Sequence, residues 1–161
     1  MILSVFSVII NALKSMKKVG MNLALIYMNN QRRRKPMIQV HSNKAPAAVG
    51  PYSQAVIAGG FAFLSGMLPL DVNTGEIVGT TPAEQTEQIM KNIKGLLLDL
   101  ELHYEDIVKT TIFLDSMESF QVVNEIYGSY FTDHKPARST VEVAGIPKGA
   151  LVEIEVIAIL K

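Results

Sequence analysis

Ten residues, Leu151 to Leu160, leave this chain few architectures to choose from. They alternate as a strand does, but neither side is a plain solvent face. Val152, Ile154, Val156 and Ala158 share one side, apolar throughout and suited to lie beneath helices. Leu151, Glu153, Glu155, Ile157 and Ile159 share the other. Two carboxylates among large apolar groups suit neither open water nor a dry core, because an unpaired buried charge is costly. The order along the chain reads strands, helix, strand, helix, strands, so the class is α/β or α+β with two helices. Two helices cannot cover both faces of a sheet of about five or six strands. The economical answer is an oligomer whose sheets meet on the uncovered face, with the glutamates near clefts between subunits.

The other elements follow from local signals. Residues 37–41 alternate weakly, as a short edge strand does, and Lys44 to Pro51 is loop. Ser53–Ala58 and Phe61–Ser65 read as strands joined by Gly59-Gly60, a pair that tolerates positive φ at both turn positions. After a turn-rich stretch from Pro69 to Gly79, Thr81-Pro82-Ala83-Glu84 opens a helix with a capping box and a first-turn proline. Ile89, Met90, Ile93, Leu96, Leu97 and Leu100 fall on its apolar face, and it should end near Leu102. Ile107–Leu114 reads as a strand. Asp115 or Ser116 caps a second helix, whose apolar face holds Phe120, Val123, Tyr127 and Tyr130 or Phe131. Ser139–Val143 is a short strand before the terminal one.

Charge divides the 161 residues in two. Residues 1–36 carry seven basic groups and no acid, whereas residues 37–161 carry eight basic groups against all 15 acids, a formal charge of −7. We therefore expect an apolar, basic extension over 1–36 and a globular domain over 37–161. The extension begins with MILSVFSVIINAL, lacks a charged start, and keeps its arginines for Arg32-Arg33-Arg34. Its apolar runs are too short to span a bilayer, which takes about 18 residues. It can be an upstream-extended start, an organelle presequence, or a membrane-surface or partner-binding helix. The expected location is cytoplasmic, or mitochondrial or plastid if 1–36 is a presequence. A nucleic-acid arm at 32–35 is disfavoured, because the acidic domain repels phosphate. The absence of cysteine excludes disulfide scaffolds, thiolate metal sites and thiol nucleophiles.

Few groups remain for chemistry. His41, His103 and His134 lack metal-ligand spacing, so no metal is expected, and nucleotide-binding and serine-hydrolase motifs are missing. Arg138 stands out as the single arginine among residues 37–161, which otherwise use seven lysines. A guanidinium offers a planar fork that grips carboxylate bidentately. Arg138 follows a proline-bearing loop and opens a strand. It is either a site residue or half of a structural salt bridge.

The stretch Ala45-Pro46-Ala47-Ala48-Val49-Gly50-Pro51-Tyr52-Ser53-Gln54-Ala55 resembles the opening of the Rid (YjgF-like) family, the reactive intermediate deaminases. So do Leu64-Ser65-Gly66, Asp71 through Gly75-Glu76, and Lys135-Pro136-Ala137-Arg138-Ser139 running through Val141-Glu142-Val143. Ile146-Pro147-Lys148 and Val152-Glu153-Ile154-Glu155 complete a pattern that covers roughly residues 40–161. The resemblance implies an α+β, chorismate-mutase-like fold: a curved mixed sheet with two helices on one face, assembled as a homotrimer with sites in the clefts between subunits. It implies hydrolysis of 2-imino acids and their enamine tautomers, such as 2-aminoacrylate, to 2-keto acids and ammonia, with no cofactor.

Carried over by position, Arg138 is the arginine for the substrate carboxylate and Glu153 the carboxylate that positions or activates water. Tyr52 is the aromatic lining the cleft, Ser65 a cleft hydroxyl and Asn124 the helical asparagine near the pocket. Thr140 stands where many members have cysteine, and its main chain is expected to contact the imine. Met67 replaces a frequent glutamine, and the loop before Arg138 is shorter than in some members, which bears on substrate size. The expected partners are small imino acids and further copies of the chain, not nucleic acid or membrane. Members have also been credited with non-catalytic binding or chaperone-like roles and with ribonuclease activity. A pure binder needs the arginine but not the water-handling glutamate.

Overall fold

The computed structural model describes residues 37–161 together with Lys14 and Ser15, and the readings of the extension fall on residues outside these. Residues Met37–Lys161 form one compact unit. Its strands are β1 (Ile38–Val40), β2 (Ala55–Ala58), β3 (Phe61–Met67), β4 (Ile107–Leu114), β5 (Ala137–Glu142) and β6 (Val152–Ile159). Its helices are α1 (Pro82–Asp99) and α2 (Phe120–Ser129). The six strands form one sheet in the order β1-β2-β3-β6-β4-β5. Every neighbouring pair is antiparallel except β4 and β5. β4–α2–β5 is thus a parallel crossover, while α1 links β3 to β4 across the place that β6 fills last.

Val152, Ile154, Val156 and Ala158 are all buried beneath the helices. They pack with Leu64, Ile112 and Leu114 of the sheet and with Ile89, Met90, Ile93, Leu96 and Leu97 of α1. No strand or helix of Met37–Lys161 covers the opposite face. Phe61, Phe63, Val141 and Ile159 are exposed there, at 36–44% of their surface. Register fixes who meets whom on that face: Phe63 lies opposite Ile157, Thr111 opposite Glu155 and Phe113 opposite Glu153. The terminal strand therefore has the two faces read from its alternation, and the fold is the expected α+β sheet with two helices on one side.

Local signals act as their chemistry predicts. Gly59 and Gly60 turn with φ of 60° and 89°, the backbone a two-residue hairpin needs. Thr81 Oγ1 accepts from Glu84 N at 3.3 Å, and a Glu84 oxygen accepts from Thr81 N at 3.1 Å, closing the capping box that stabilises a helix start by about 1 kcal/mol. The ends of elements moved more. α1 stops at Asp99 rather than near Leu102. Glu101 takes a left-handed φ of 57° while the Leu102 N–H bonds back to the Leu97 carbonyl. That is a helix stop usually made by glycine, and a glutamate gives no warning of it. Ser116 does cap, but it caps a short 3₁₀ turn, Met117–Ser119, that leads into α2. β2 begins at Ala55 rather than Ser53, and β5 already at Ala137.

Buried polar side chains of α1 fasten the loops that adjoin β3 and β6. Asn92 donates to the Leu70 carbonyl at 2.8 Å, and Gln85 accepts from Leu151 N at 2.7 Å. Gln54, also buried, accepts from Ser42 N and donates to carbonyls of Ser42, Ala45 and Pro46. Each such bond satisfies a group whose burial alone would cost about 1–3 kcal/mol.

Candidate active site

β3 carries a bulge that shapes one wall of a cleft. From Leu64 to Met67 it advances three residues while its partner β6 advances two, from Val156 to Ile154. Leu64 and Met67 stay buried, and the extra residue lets both Ser65 and Gly66 face away from the core. Ser65 Oγ donates to the Ser53 carbonyl at 2.7 Å. With its proton so engaged, the hydroxyl presents lone pairs to the cleft. Glu153, Tyr52, Leu68 and Lys148 complete the lining of this open cleft of about 360 Å³.

Glu153 is half-buried on the uncovered sheet face. Burial, and secondarily the like charge of Glu155 two residues on, push its carboxyl above the usual range. A carboxylate held high binds a proton more avidly than a free glutamate and so makes a better base. Glu155 is anchored separately, accepting from Thr111 Oγ1 at 3.1 Å.

Arg138 lies in a second open cleft of about 360 Å³, lined also by Asn124, Tyr127, Phe131 and Lys135. It pairs in register with Thr110, whose side chain is buried on the helix side. Its guanidinium carbon stands 5.1 Å from the Tyr127 ring centre and 5.9 Å from that of Phe120. Cation–π contact with two rings holds the fork in place without consuming its N–H donors. Among the described residues Arg138 makes no salt bridge, so the alternative of an internal ion pair is not realised. Tyr127 shares a 2.8 Å hydrogen bond with Thr110 Oγ1, and burial raises its phenol pKa although Thr110 and the Arg138 charge act the other way. Thr140 follows Arg138 on the same side of β5, and its Oγ1 is buried with no hydrogen-bond partner.

The expected residues thus fall into two groups within one chain. Tyr52, Ser65 and Glu153 share one cleft, and Asn124 and Arg138 share the other. Alternation places Arg138 on the helix side of the sheet and Glu153 on the uncovered side. Gly66, Lys135 and Lys148 also line these clefts and were not singled out from sequence. Their only signal was position inside the motifs, since lysines and glycines are common on any surface. Among the described residues no cluster of three or more histidines or carboxylates is placed to hold a metal ion, and no helix is long and apolar enough to cross a membrane.

Comparison with known proteins identifies relatives of this chain. The family model described as Endoribonuclease L-PSP matches residues 42–160. The chain is 49% identical over 121 residues to the chloroplastic Reactive Intermediate Deaminase A of Arabidopsis thaliana, covering 75% of this chain and 65% of that one. A crystal structure of a Rid family protein of unknown function from Yersinia pestis is 45% identical, with a TM-score of 0.75, covering 78% of this chain and all of that one (100%). The E. coli TdcF structure with bound serine is 35% identical, with a TM-score of 0.72, covering 77% of this chain and 99% of that one. A match over most of the chain, joined to the same mixed sheet with two helices, places this protein in the Rid (YjgF-like) family.

Proposed function

We propose that the protein hydrolyses small 2-imino acids, 2-iminopropanoate and 2-iminobutanoate among them, to 2-keto acids and ammonia. We assign the reaction to residues 37–161, acting as a homotrimer whose sites lie between subunits. The observation that carries this reading is the division of the site: an unpaired, ring-held guanidinium in one cleft and a half-buried, proton-avid carboxylate in the other, on opposite sides of one sheet. A substrate of a few carbon atoms cannot touch both within one chain. It touches both if a second copy brings its Glu153 cleft against the first copy's Arg138 cleft. The uncovered apolar face beside Glu153 is the surface such packing needs, since burying what remains exposed of each large side chain there is worth about 1 kcal/mol. The relative solved with serine, a small amino acid with a free carboxylate, supports the same ligand class.

The chemistry requires no activated nucleophile. Arg138 grips the substrate carboxylate bidentately and sets its orientation. The carbon of a protonated imine is already electrophilic. Glu153 takes a proton from water as the water oxygen bonds to that carbon, giving a carbinolamine. Glu153 then gives that proton to the nitrogen, the C–N bond breaks and ammonia leaves as the hydroxyl O–H proton returns to the Glu153 carboxylate and the C=O bond forms. The raised pKa makes the Glu153 carboxylate a stronger base for the first proton transfer. Ser65, with its own proton engaged, accepts from the imine N–H. Asn124 and Tyr52 shape the two walls, and the main chain at Thr140 faces the imine. Orientation and one base together supply the rate.

The test uses a serine/threonine dehydratase to generate the imine in situ and follows 2-keto acid and ammonia release. Parent protein should accelerate release. Arg138→Ala should abolish the effect, and Glu153→Gln should reduce it by about 10²-fold or more. A trimer that binds carboxylate ligands but accelerates no imine would show a binding protein instead.

A further inference from the structure

Gly66 occupies the bulge of β3, yet its backbone does not explain the glycine. Gly59, Gly60, Gly75, Gly79 and Gly149 adopt positive φ, and Gly66 does not. The space explains it instead. The three atoms nearest to a methyl group at this position all belong to one side chain, that of Glu153. The methyl would overlap Oε1 and stand 2.7 Å from Cδ and 3.1 Å from Cγ. The Glu153 carboxylate therefore occupies the space beside Gly66 where a Cβ would stand, in a recess that only a missing side chain provides. A methyl there meets the far end of a flexible side chain, so it displaces the carboxylate and leaves the main chain alone.

We propose that Gly66 is a positioning residue, whose absent side chain is the seat that holds the Glu153 carboxylate toward the cleft it shares with Ser65 and Tyr52. The seat fixes where a water molecule is met. It also keeps the carboxylate in its half-buried setting rather than in solvent. The other charged or titratable groups facing the carboxylate are Glu155 on the same strand, and Lys148 and the Tyr52 phenol across the cleft. Ser65 from β3 and Phe113 from β4 add no charge. None of these changes when position 66 does. The activity readout rests on the deaminase reading, whereas the geometry does not.

The experiment compares Gly66→Ala in the parent and in a Glu153→Asp background, using the full chain. Imine hydrolysis and the pH titration of the residue 153 carboxyl carbon by NMR are the readouts. Gly66→Ala should melt close to the parent, lose about 10²-fold in kcat with KM little changed, and show a carboxyl titration moved back toward ordinary glutamate. Aspartate is one methylene shorter and withdraws from the seat. In the Glu153→Asp background, Gly66→Ala should therefore cost less than about twofold further, a non-additivity expected only of groups in contact. Equal losses in both backgrounds would overturn the proposal, because the methyl would then be obstructing the cleft itself. Parental kcat with a parental titration, or failure of Gly66→Ala to fold, would overturn it as well. If the parent hydrolyses no imine, the deaminase reading falls, and the carboxyl titration alone decides whether Gly66 seats Glu153.

Discussion

The role proposed for Glu153 turns on a single proton. Burial first, and the Glu155 charge second, raise its carboxyl pKa above the ordinary glutamate value, which lies near about 4.3. A general base acts when ionised, so kcat/KM should rise with pH through the Glu153 midpoint. Glu155→Gln removes the like charge but not the burial. The acid limb of the pH–rate profile should then move to lower pH while staying above that of a free glutamate, and a limb that moves upward or not at all would exclude Glu153 as its origin. The same shift carries a stability cost of known sign. The folded state holds this proton more tightly than the unfolded chain, so folding loses stability as pH climbs from the ordinary value through the raised one. Arg138 asks for the opposite setting. Two aromatic rings rather than a carboxylate hold it, so its fork remains open to a ligand.

Among the elements, α1 is shaped as much by a loop as by its own apolar stripe. Gly95 lies inside the helix, where alanine is intrinsically better by about 1 kcal/mol. Here a methyl would overlap the Lys44 carbonyl oxygen and stand 2.9 Å from its carbon. Backbone cannot yield as a side chain can, so overpacking outweighs propensity. Gly95→Ala should lower stability by about 1–3 kcal/mol in urea denaturation, against the gain that helix propensity alone forecasts. The same junction carries an acid-sensitive link. Asp99 pairs with Lys44 and accepts from Ser42 Oγ at 2.6 Å. Lys44 first and Ser42 second hold the Asp99 carboxyl below the usual range. A depressed pKa means the link is at full strength above the ordinary aspartate value and is lost as pH falls through the folded one. Asp99→Asn should therefore flatten the stability–pH curve on its acid side, as read by melting temperature.

At the scale of the whole molecule, the division of Arg138 and Glu153 between two clefts makes a sharp demand on assembly. If each site takes its arginine from one subunit and its glutamate from a neighbour, two crippled variants can restore one another. Arg138→Ala, inactive alone, and Glu153→Gln, impaired about 10²-fold or more alone, should regain activity when unfolded together and reassembled. In random mixed trimers about a quarter of the sites combine an intact arginine with an intact glutamate. Recovery near that fraction of parental activity checks the shared site, and light scattering on the same samples checks the trimer. No recovery, from samples shown to be mixed, would mean that both residues serve one chain or that only one of them matters.

Much of this protein was legible from residues alone. The two-faced terminal strand, the capping box at Thr81, the Gly59-Gly60 hairpin and the apolar stripe of α1 are local patterns, and local patterns survive without knowledge of neighbours. The family motifs offered candidates, Arg138 and Glu153 among them, because they are contiguous runs. What residues alone did not carry was anything set by contact across the fold. The end of α1 depends on Glu101 taking a conformation that glycine usually supplies. The recess at Gly66 exists only because β6 lies beside β3 and turns Glu153 onto it. The placement of Arg138 and Glu153 on opposite sides of the sheet follows from strand order and register, which bring together residues far apart in sequence. Sequence determined which groups are available, since side-chain chemistry and periodicity are local. Tertiary structure alone decided which of them can meet, because β6 enters last between β3 and β4 and sets the register of both.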